Sequence, residues 1–264
     1  MSEKRNWTCQ LKLRDFNCML LFLMIFSNQG ALAYEEDAHA HPERVSPFKP
    51  VFFVVGKPHT KLQFSFKAEV VENVPLYLAY TQTSFWALFK RSLPFVDTSY
   101  SPELFYRWTD TNDANRSFDF GGQHESNGRD GIDSRSWNRI FARYSFKQDT
   151  GTTRLYWTLQ AWVPFTSHDL SRYLVHYRGL YELTLTWADF LGENFDQDDL
   201  TFRLFPGGSS EVNPFDGGQE LTLRLKSKAI KFLPLLVFQM FHGYAENLLE
   251  FRDTVWVARV GLGL

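Results

Sequence analysis

The sequence predicts an all-β protein, a single transmembrane antiparallel β-barrel of about twelve strands. Two observations carry this prediction. Short runs of alternating apolar and polar residues recur from residue 62 onward, and polar or Gly-rich connectors separate them. The chain also holds 26 Phe, 11 Tyr and 8 Trp, and the aromatic girdles at the two membrane interfaces of a barrel are one place for so many rings.

The first 33 residues have the pattern of a secretory signal peptide. Basic residues precede an apolar run at 18–26, and Ala31-Leu32-Ala33 has the small-x-small pattern of a cleavage site. We therefore expect a signal peptide at 1–33, an N-terminal periplasmic segment at 34–60 and a barrel domain at 61–264. Both cysteines, Cys9 and Cys18, fall within the leader, so the exported chain should form no disulfide.

Charge gives no indication of a nucleic-acid partner. The chain has 28 Lys+Arg against 30 Asp+Glu, so it presents no large positive field to a phosphate backbone. No apolar run after residue 33 reaches the length of a membrane-spanning helix. If the chain crosses a membrane, we expect it to do so with strands.

Eleven runs are good strand candidates, and a twelfth at 248–252 is weak. An acidic run at 196–199 lacks the spacing of a calcium loop, and we interpret it as a solvated turn. The eleven candidates lie at 62–70, 76–82, 103–108, 116–126, 137–146, 154–163, 181–187, 201–205, 220–225, 235–241 and 255–262.

The polar faces of these strands carry charges of both signs. Facing inward in a small barrel, such side chains can pair and fill the lumen, which argues against a wide pore. Alternation alone is also compatible with a soluble, exported β-sandwich that binds an apolar ligand. The leader and the closed, edge-free arrangement of an even strand number favour the barrel.

The stretch 121–138 contains the residue types of a catalytic triad. His124 and Ser126 are two apart, so in a strand they point to the same face. Asn127-Gly128 is a turn signal, and Asn138 reaches the same patch if the next segment returns antiparallel. A serine, an imidazole and a group that orients the imidazole are the elements of nucleophilic acyl transfer.

All three residues fall on the apolar parity of their strands. Phe118 and Phe120 share the parity of His124, and Ile140 shares that of Asn138. In a sandwich this face would be the core, whereas in a membrane barrel it is the lipid-facing wall. A barrel therefore places the candidate triad where a lipid can reach it.

The segment H-E-S-N-G-R-D-G-I-D-S-R-S-W-N at 124–138 closely resembles the active-site segment of outer membrane phospholipase A. That family's pattern runs H-D-S-N-G-R, a short loop, then S-R-S-W-N, so Glu125 stands where the family has Asp. Residues 80–86 and 243–248 resemble further segments of the same family.

The resemblance implies a calcium-dependent phospholipase that hydrolyses acyl esters of phospholipids, with A1, A2 and lysophospholipase activity. It implies Ser126 as nucleophile, His124 as general base, Asn138 as the residue that orients the imidazole, and Gly128 as an oxyanion position. For the catalytic calcium it implies the carbonyl of Arg129, Ser134, and a carbonyl near Ser92 of a second subunit.

A second calcium site is left open by the sequence. Asp169 matches one carboxylate of the family's second site, but Gly131 replaces another.

The resemblance further implies a homodimer in the outer membrane of a Gram-negative bacterium. The barrel would cross that membrane many times, with outer-membrane phospholipid as substrate and the active site facing the outer leaflet. The alternative function is a non-catalytic outer-membrane barrel that acts as a channel or structural protein.

Overall fold

The structure, a computed structural model, describes residues 45–165, 169–208, 210, 212–230 and 232–264, with no side-chain description at 169–172. The predicted signal peptide at 1–33 lies outside these residues. Within the described part, one antiparallel sheet contains the strands β1 Val45–Pro47, β2 Phe52–Lys57, β3 Thr60–Val71, β4 Val74–Trp86, β5 Phe95–Thr109, β6 Arg116–Ser126, β7 Ser136–Asp149, β8 Arg154–Pro164, β9 Tyr181–Ala188, β10 Phe195–Phe205, β11 Gly218–Ser227, β12 Leu235–Gly243 and β13 Val255–Gly263.

The sheet closes on itself. Each of β2 to β13 pairs with its neighbours in chain order, and β2 also pairs with β13. The result is the twelve-stranded barrel that the sequence predicts, and it excludes the sandwich. The short β1 pairs with β3 at Val45 to Pro47, beyond the stretch of β3 that β2 covers.

Alternation along each strand separates an apolar outside from a polar inside. The charged residues predicted to face inward are largely buried, whereas the large apolar side chains of the opposite parity are exposed, as the lipid-facing wall of a barrel requires. Buried charged residues include Lys61, Lys67, Glu103, Asp119, Arg139, Arg143, Asp199, Arg224 and Arg259, and exposed apolar residues include Leu78, Leu104, Tyr106, Trp108, Phe118, Phe120, Ile140, Leu159, Val163, Phe238, Met240 and Val260.

Three expectations about the strands are wrong. The barrel begins at Phe52 of β2, inside the segment expected to precede it, and residues 248–252 form turns instead of a strand. The acidic run is not a solvated turn, because it lies in β10 and both Asp198 and Asp199 are buried. Asp199 is compensated inside the barrel by Arg224, whose Nε donates a hydrogen bond of 2.8 Å to Oδ1.

The lumen is filled by side chains. Around Arg143 an ion-pair network links Glu103 and Asp119 at 2.7 and 2.9 Å, and Arg203 bridges Glu182 and Glu220. A buried apolar cluster lies beside these networks and consists of Ala79, Phe105, Trp137, Phe141, Trp162, Leu174, Leu248 and Phe251. The interior is therefore a packed polar and aromatic core.

The longer connections are at one end of the barrel. They include the loop at 127–135, between β6 and β7, which we call the catalytic loop because the candidate triad residues flank it, and the loop at 244–254, between β12 and β13, which we call the plug loop. Leu248 and Phe251 of the plug loop enter the apolar cluster, as does Leu174 of the helix α1, Asp169–Arg178, which the sequence analysis did not predict. In the described residues no helix has the length and apolarity needed to cross a bilayer.

Candidate active site

The pairing of β6 with β7 brings the candidate triad together. In the register of this hairpin His124 lies opposite Asn138, and Ser126 lies opposite Ser136. His124 is exposed and shares the outer face with the exposed Phe118 and Phe120. The site is therefore on the lipid-facing wall, close to the end of the barrel that carries the catalytic loop.

A hydrogen bond fixes the imidazole. Nδ1 of His124 is 2.8 Å from Oδ1 of Asn138. An amide oxygen can only accept, so Nδ1 carries the proton and Nε2 keeps its lone pair. That tautomer is the one that can take a proton from a neighbouring hydroxyl.

Ser126 is the last residue of β6, and it lies two residues beyond His124 on the same face. Two residues of a strand advance about 6.6 Å, so the two side chains are neighbours along the wall. On the opposite edge of β6, Ser126 pairs with Tyr100 of β5. The strand geometry therefore places Ser126 next to His124 on the same face of β6.

Ser136 is a second serine at this place, and the sequence analysis passed over it. It shares the parity of Asn138 and lies across the strand pair from Ser126. The signal was available in the S-R-S-W-N segment, because positions 136 and 138 are two apart. Because Ser136 is the cross-strand partner of Ser126, a substitution of Ser136 is a suitable control for a substitution of Ser126.

Glu125, between the two candidate residues, points into the barrel. Its carboxylate accepts hydrogen bonds from Ser99 Oγ at 2.8 Å, Trp137 Nε1 at 3.1 Å and Arg139 Nη2 at 2.9 Å. These three donors belong to the strands on either side of β6. The residue that departs from the family's Asp therefore anchors the backbone that carries His124 and Ser126.

The catalytic loop is organised around the buried side chain of Asn127. Its Oδ1 accepts from the backbone N–H groups of Arg135 at 2.9 Å and Arg129 at 3.4 Å, and its Nδ2 donates to the carbonyl of Asp133 at 2.9 Å. One side chain thus holds both arms of the loop, and a 3-10 helix at Gly131–Asp133 forms its tip.

Gly128 adopts a backbone conformation that favours glycine. Its φ is +65°, and a Cβ at this position would lie 3.0 Å from Cε2 of Tyr100. The loop therefore turns back over the Tyr100 ring directly after Ser126. This turn gives the backbone of Gly128 a close approach to whatever binds at Ser126.

Two of the candidate calcium ligands lie in this loop. The Asn127 side chain binds the amides of Arg129 and Arg135, which places Arg129 near Ser134, the neighbour of Arg135. Carbonyl and hydroxyl oxygens are the donors that Ca²⁺ accepts in proteins, so the loop fits part of a calcium shell. In the described residues no three His, Cys, Asp or Glu side chains cluster in a way that would hold a metal.

The other two candidate ligands are elsewhere. Ser92 lies in the connection between β4 and β5, at the same end of the barrel, with φ at +73°. Asp169 is the first residue of α1, and its side chain lies outside the described residues. The catalytic loop by itself therefore contains only two of the four candidate ligands, Arg129 and Ser134.

Comparisons with known proteins identify the family of this chain. The model of the phospholipase A1 family matches residues 2–264. The chain belongs to the phospholipase A1 family. A phospholipase A1 of Klebsiella pneumoniae is 32% identical over 199 residues, which is 73% of this chain and 63% of the relative. A putative phospholipase A1 of Neisseria meningitidis is 32% identical over 157 residues, 53% of this chain and 39% of the relative.

Solved structures of the family share the fold. Outer membrane phospholipase A from Escherichia coli is 25% identical, with a TM-score of 0.66 over 88% of this chain and 93% of that one. An outer membrane phospholipase of Salmonella typhi, described as a dimer with bound calcium, is 23% identical with a TM-score of 0.66. The match covers 88% of this chain and 95% of the Salmonella chain. Together with the closed barrel, these relatives point to the Gram-negative outer membrane for this phospholipase A1 family member.

Proposed function

We propose that this family member is an outer-membrane phospholipase that hydrolyses acyl esters of phospholipids through Ser126, His124 and Asn138. The observation that carries the proposal is the His124–Asn138 hydrogen bond on the lipid-facing wall, beside Ser126. His242 is also exposed beside an amide oxygen, but only His124 of these two has a serine two residues away on its own strand. Beside a serine an imidazole is a general base.

The chemistry follows from the fixed tautomer. Nε2 of His124 takes the Ser126 proton as Oγ attacks the ester carbonyl carbon, which forms a tetrahedral oxyanion. The oxyanion collapses, the C–O bond to the glycerol breaks, and His124 returns the proton to the leaving oxygen. Water then attacks the acyl-enzyme and gives a proton to His124. His124 passes that proton to Oγ of Ser126 as the acyl C–O bond breaks, which releases the fatty acid and restores the Ser126 hydroxyl.

The uncharged Asn138 suits this location. A carboxylate in its place would lie against lipid, where an unpaired charge is costly. The proposed oxyanion donor is the backbone N–H of Gly128, which the turn after Ser126 carries toward the site. Arg129 and Ser134 would hold Ca²⁺, which supplies positive charge for the developing oxyanion.

The proposed active form is a homodimer in which Ser92 of the second copy completes the calcium shell. A row of polar side chains on the lipid-facing wall supports this arrangement. Tyr80 donates to Gln82 at 3.0 Å, and Gln82 and Thr98 both donate to Ser84, at 3.4 and 3.2 Å. Polar groups on a lipid-facing wall are better satisfied against a second copy than against acyl chains.

The proposed topology follows from export. After removal of the signal peptide at 1–33, the strands of the barrel would cross the membrane, with the catalytic end toward the outer leaflet. Phospholipid in that leaflet would then reach Ser126 along the wall. Because the enzyme lies in the membrane that contains its substrate, a requirement for both calcium and dimerisation would keep it inactive until both are present.

The test is fatty-acid release from phospholipid in mixed detergent micelles, with calcium and with chelator. Ser126→Ala should abolish release, whereas Ser136→Ala should retain it. His242 is a matched control for His124, because it is also exposed on the outer wall and its Nδ1 is 3.3 Å from an amide oxygen, that of Gln219. His124→Ala should be inactive and His242→Ala active.

The outcomes separate the parts of the proposal. Release that needs Ser126 but not calcium would leave the serine esterase and remove the ion. Release that needs Ser136 instead of Ser126 would move the nucleophile across the strand pair. Folded barrels that release no fatty acid but conduct ions would favour the channel, against which the packed lumen argues. Sedimentation in detergent should show dimers with calcium and monomers with chelator.

A further inference from the structure

The carboxylate of Asp97 lies where the catalytic loop meets the plug loop. Asp97 is near the start of β5, is 1% exposed, and contacts none of the three triad residues in the contacts described above. Its Oδ2 accepts the backbone N–H of Leu249, in the plug loop, at 2.9 Å. Its Oδ1 lies 3.8 Å from Nε of Arg129, in the catalytic loop. One buried carboxylate thus touches both loops.

The start of β5 holds Arg129 by a second contact. Nη2 of Arg129 donates to the carbonyl of Val96, the neighbour of Asp97, at 2.5 Å. Arg129 follows Ser126 by three residues, and its backbone N–H is one of those bound by Asn127. Contacts to its side chain therefore act on the part of the loop that directly follows Ser126.

The plug loop is itself held in place by buried apolar side chains. Leu248 and Phe251, on either side of Leu249, are buried in the apolar cluster with Trp137. At the other arm of the catalytic loop, the guanidinium of Arg135 lies 5.8 Å above the Phe251 ring, within the range of a cation–π contact. The plug loop therefore contacts the catalytic loop directly at Arg135 and is linked to it through Asp97 at Arg129.

We propose that Asp97 is a positioning residue, which sets the catalytic loop in place by tying Arg129 to the plug loop. This inference rests on the proposed function, in which the Gly128 N–H and the Arg129 carbonyl act beside Ser126. The loop has glycine at 128 and 131, and internally it is held mainly through Asn127, so an external tie limits its freedom. A displacement of about 1 Å at a catalytic group costs on the order of 10²-fold in rate.

Asp97→Asn is the informative variant, because it keeps the shape and one acceptor oxygen for Leu249 while removing the charge that attracts Arg129. We expect kcat to fall about tenfold with KM unchanged, since substrate binds along the wall, away from Asp97. Asp199→Asn is the matched control. Asp199 is fully buried and accepts a hydrogen bond from Arg224, but it lies in β10. The kcat of the Asp199→Asn variant should therefore equal that of the unmutated chain.

Deuterium uptake of residues 127–135 reports the position of the loop without any turnover. Uptake should rise in Asp97→Asn and not in Asp199→Asn, with both barrels shown to be folded by their heat-dependent electrophoretic mobility. Arg129→Gln removes the other half of the contact from a more exposed site. It should reproduce the loss of kcat and the rise in uptake even if Asp97→Asn fails to fold.

A double-mutant cycle decides whether the two residues act together. If Asp97 works through Arg129, the double variant should be no slower than the slower single variant, whereas independent effects would multiply. Unchanged kcat and uptake in folded Asp97→Asn, an equal fall in Asp199→Asn, or multiplying effects would overturn the inference. Raised uptake in a chain that never hydrolyses lipid would support the tie and refute the proposed function instead.

Discussion

His124 and Asn138 are joined across β6 and β7, with 2.8 Å between Nδ1 and Oδ1. The bond is set by register, since the two residues are direct cross-strand partners. A shift of one residue in this hairpin would send Asn138 to the lumen and leave the imidazole without its partner. The pairing of the strands therefore decides the tautomer of the base.

Asn138→Ala should lower kcat by about tenfold to a hundredfold, less than the loss of the base itself, because His124 would remain but in a mixture of tautomers and orientations. Asn138→Asp keeps an oxygen that accepts from Nδ1 and should retain more activity than alanine. The measurement is fatty-acid release at saturating substrate in detergent micelles. Equal activity of Asn138→Ala and the unmutated chain would exclude Asn138 from the catalytic unit.

Gly128→Ala and Gly131→Ala separate backbone strain from contact. Both glycines have positive φ, +65° and +59°, but only a Cβ at Gly128 meets another group, the Tyr100 ring at 3.0 Å. Either substitution should cost about 1 kcal/mol of loop strain. Gly128→Ala should in addition displace the turn after Ser126 and lower kcat at least tenfold, whereas Gly131→Ala should leave kcat within about twofold.

This pair is decided by steady-state kinetics together with thermal unfolding. If both variants lose kcat equally, then strain anywhere in the catalytic loop suffices, and the contact of Gly128 with Tyr100 has no separate role.

The alternation of residues predicted most of the barrel, and the places where it failed have physical reasons. β6 was predicted with the bounds that the structure shows, because its period of two is uninterrupted. β2 was missed because it contains the consecutive apolar residues Phe52 to Val55 between prolines at 50 and 58. The acidic start of β10 resembled a turn, since the sequence does not reveal that Arg224 lies opposite Asp199 on the neighbouring strand β11.

The sequence likewise predicted one part of the candidate site and missed another. Local spacing was enough to place His124, Ser126 and Asn138 on one face, because register and parity are properties of a hairpin. The contacts that support them are not local. Leu249 is 152 residues from Asp97, and the plug loop carries no alternation that would predict its entry into the lumen.

Arg143→Met should destabilise the barrel strongly. Arg143 donates to Glu103 at 2.7 Å, Asp119 at 2.9 Å and Gln160 at 3.1 Å. Removing it leaves the buried Glu103 with only Lys49, at 3.7 Å, while Asp119 keeps its pair with Arg107. Breaking a buried ion pair on one side costs about 3–5 kcal/mol. Urea unfolding in detergent, followed by tryptophan fluorescence, would measure the loss.

Arg116→Met is the control for Arg143. Arg116 pairs with Asp113 at 2.9 Å in an exposed turn, where its side chain is 49% accessible. Solvent screens such a pair, so its loss should not change the unfolding midpoint. If both variants lose equal stability, the effect belongs to arginine side chains in general and not to the luminal network.

His59 should make the stability of the barrel sensitive to acid. It lies in the turn between β2 and β3, and burial holds its pKa below the ordinary value of 6.5. Glu250, whose Oε2 is 3.6 Å from Nδ1, and Glu246 oppose this shift, while Arg259 and Lys90 add to it. Below pH 6.5 the unfolded chain therefore binds a proton that the folded chain does not.

Stability should consequently fall as the pH drops through 6.5 and level off once the folded pKa is passed. His59→Gln should remove this part of the acid sensitivity. Glu250→Gln should enlarge it, because the carboxylate that attracts the imidazolium is lost and the folded pKa falls further. Unfolding midpoints in urea between pH 7.5 and 5 would measure all three chains. A pH dependence that is the same in His59→Gln as in the unmutated chain would assign the acid sensitivity to other groups.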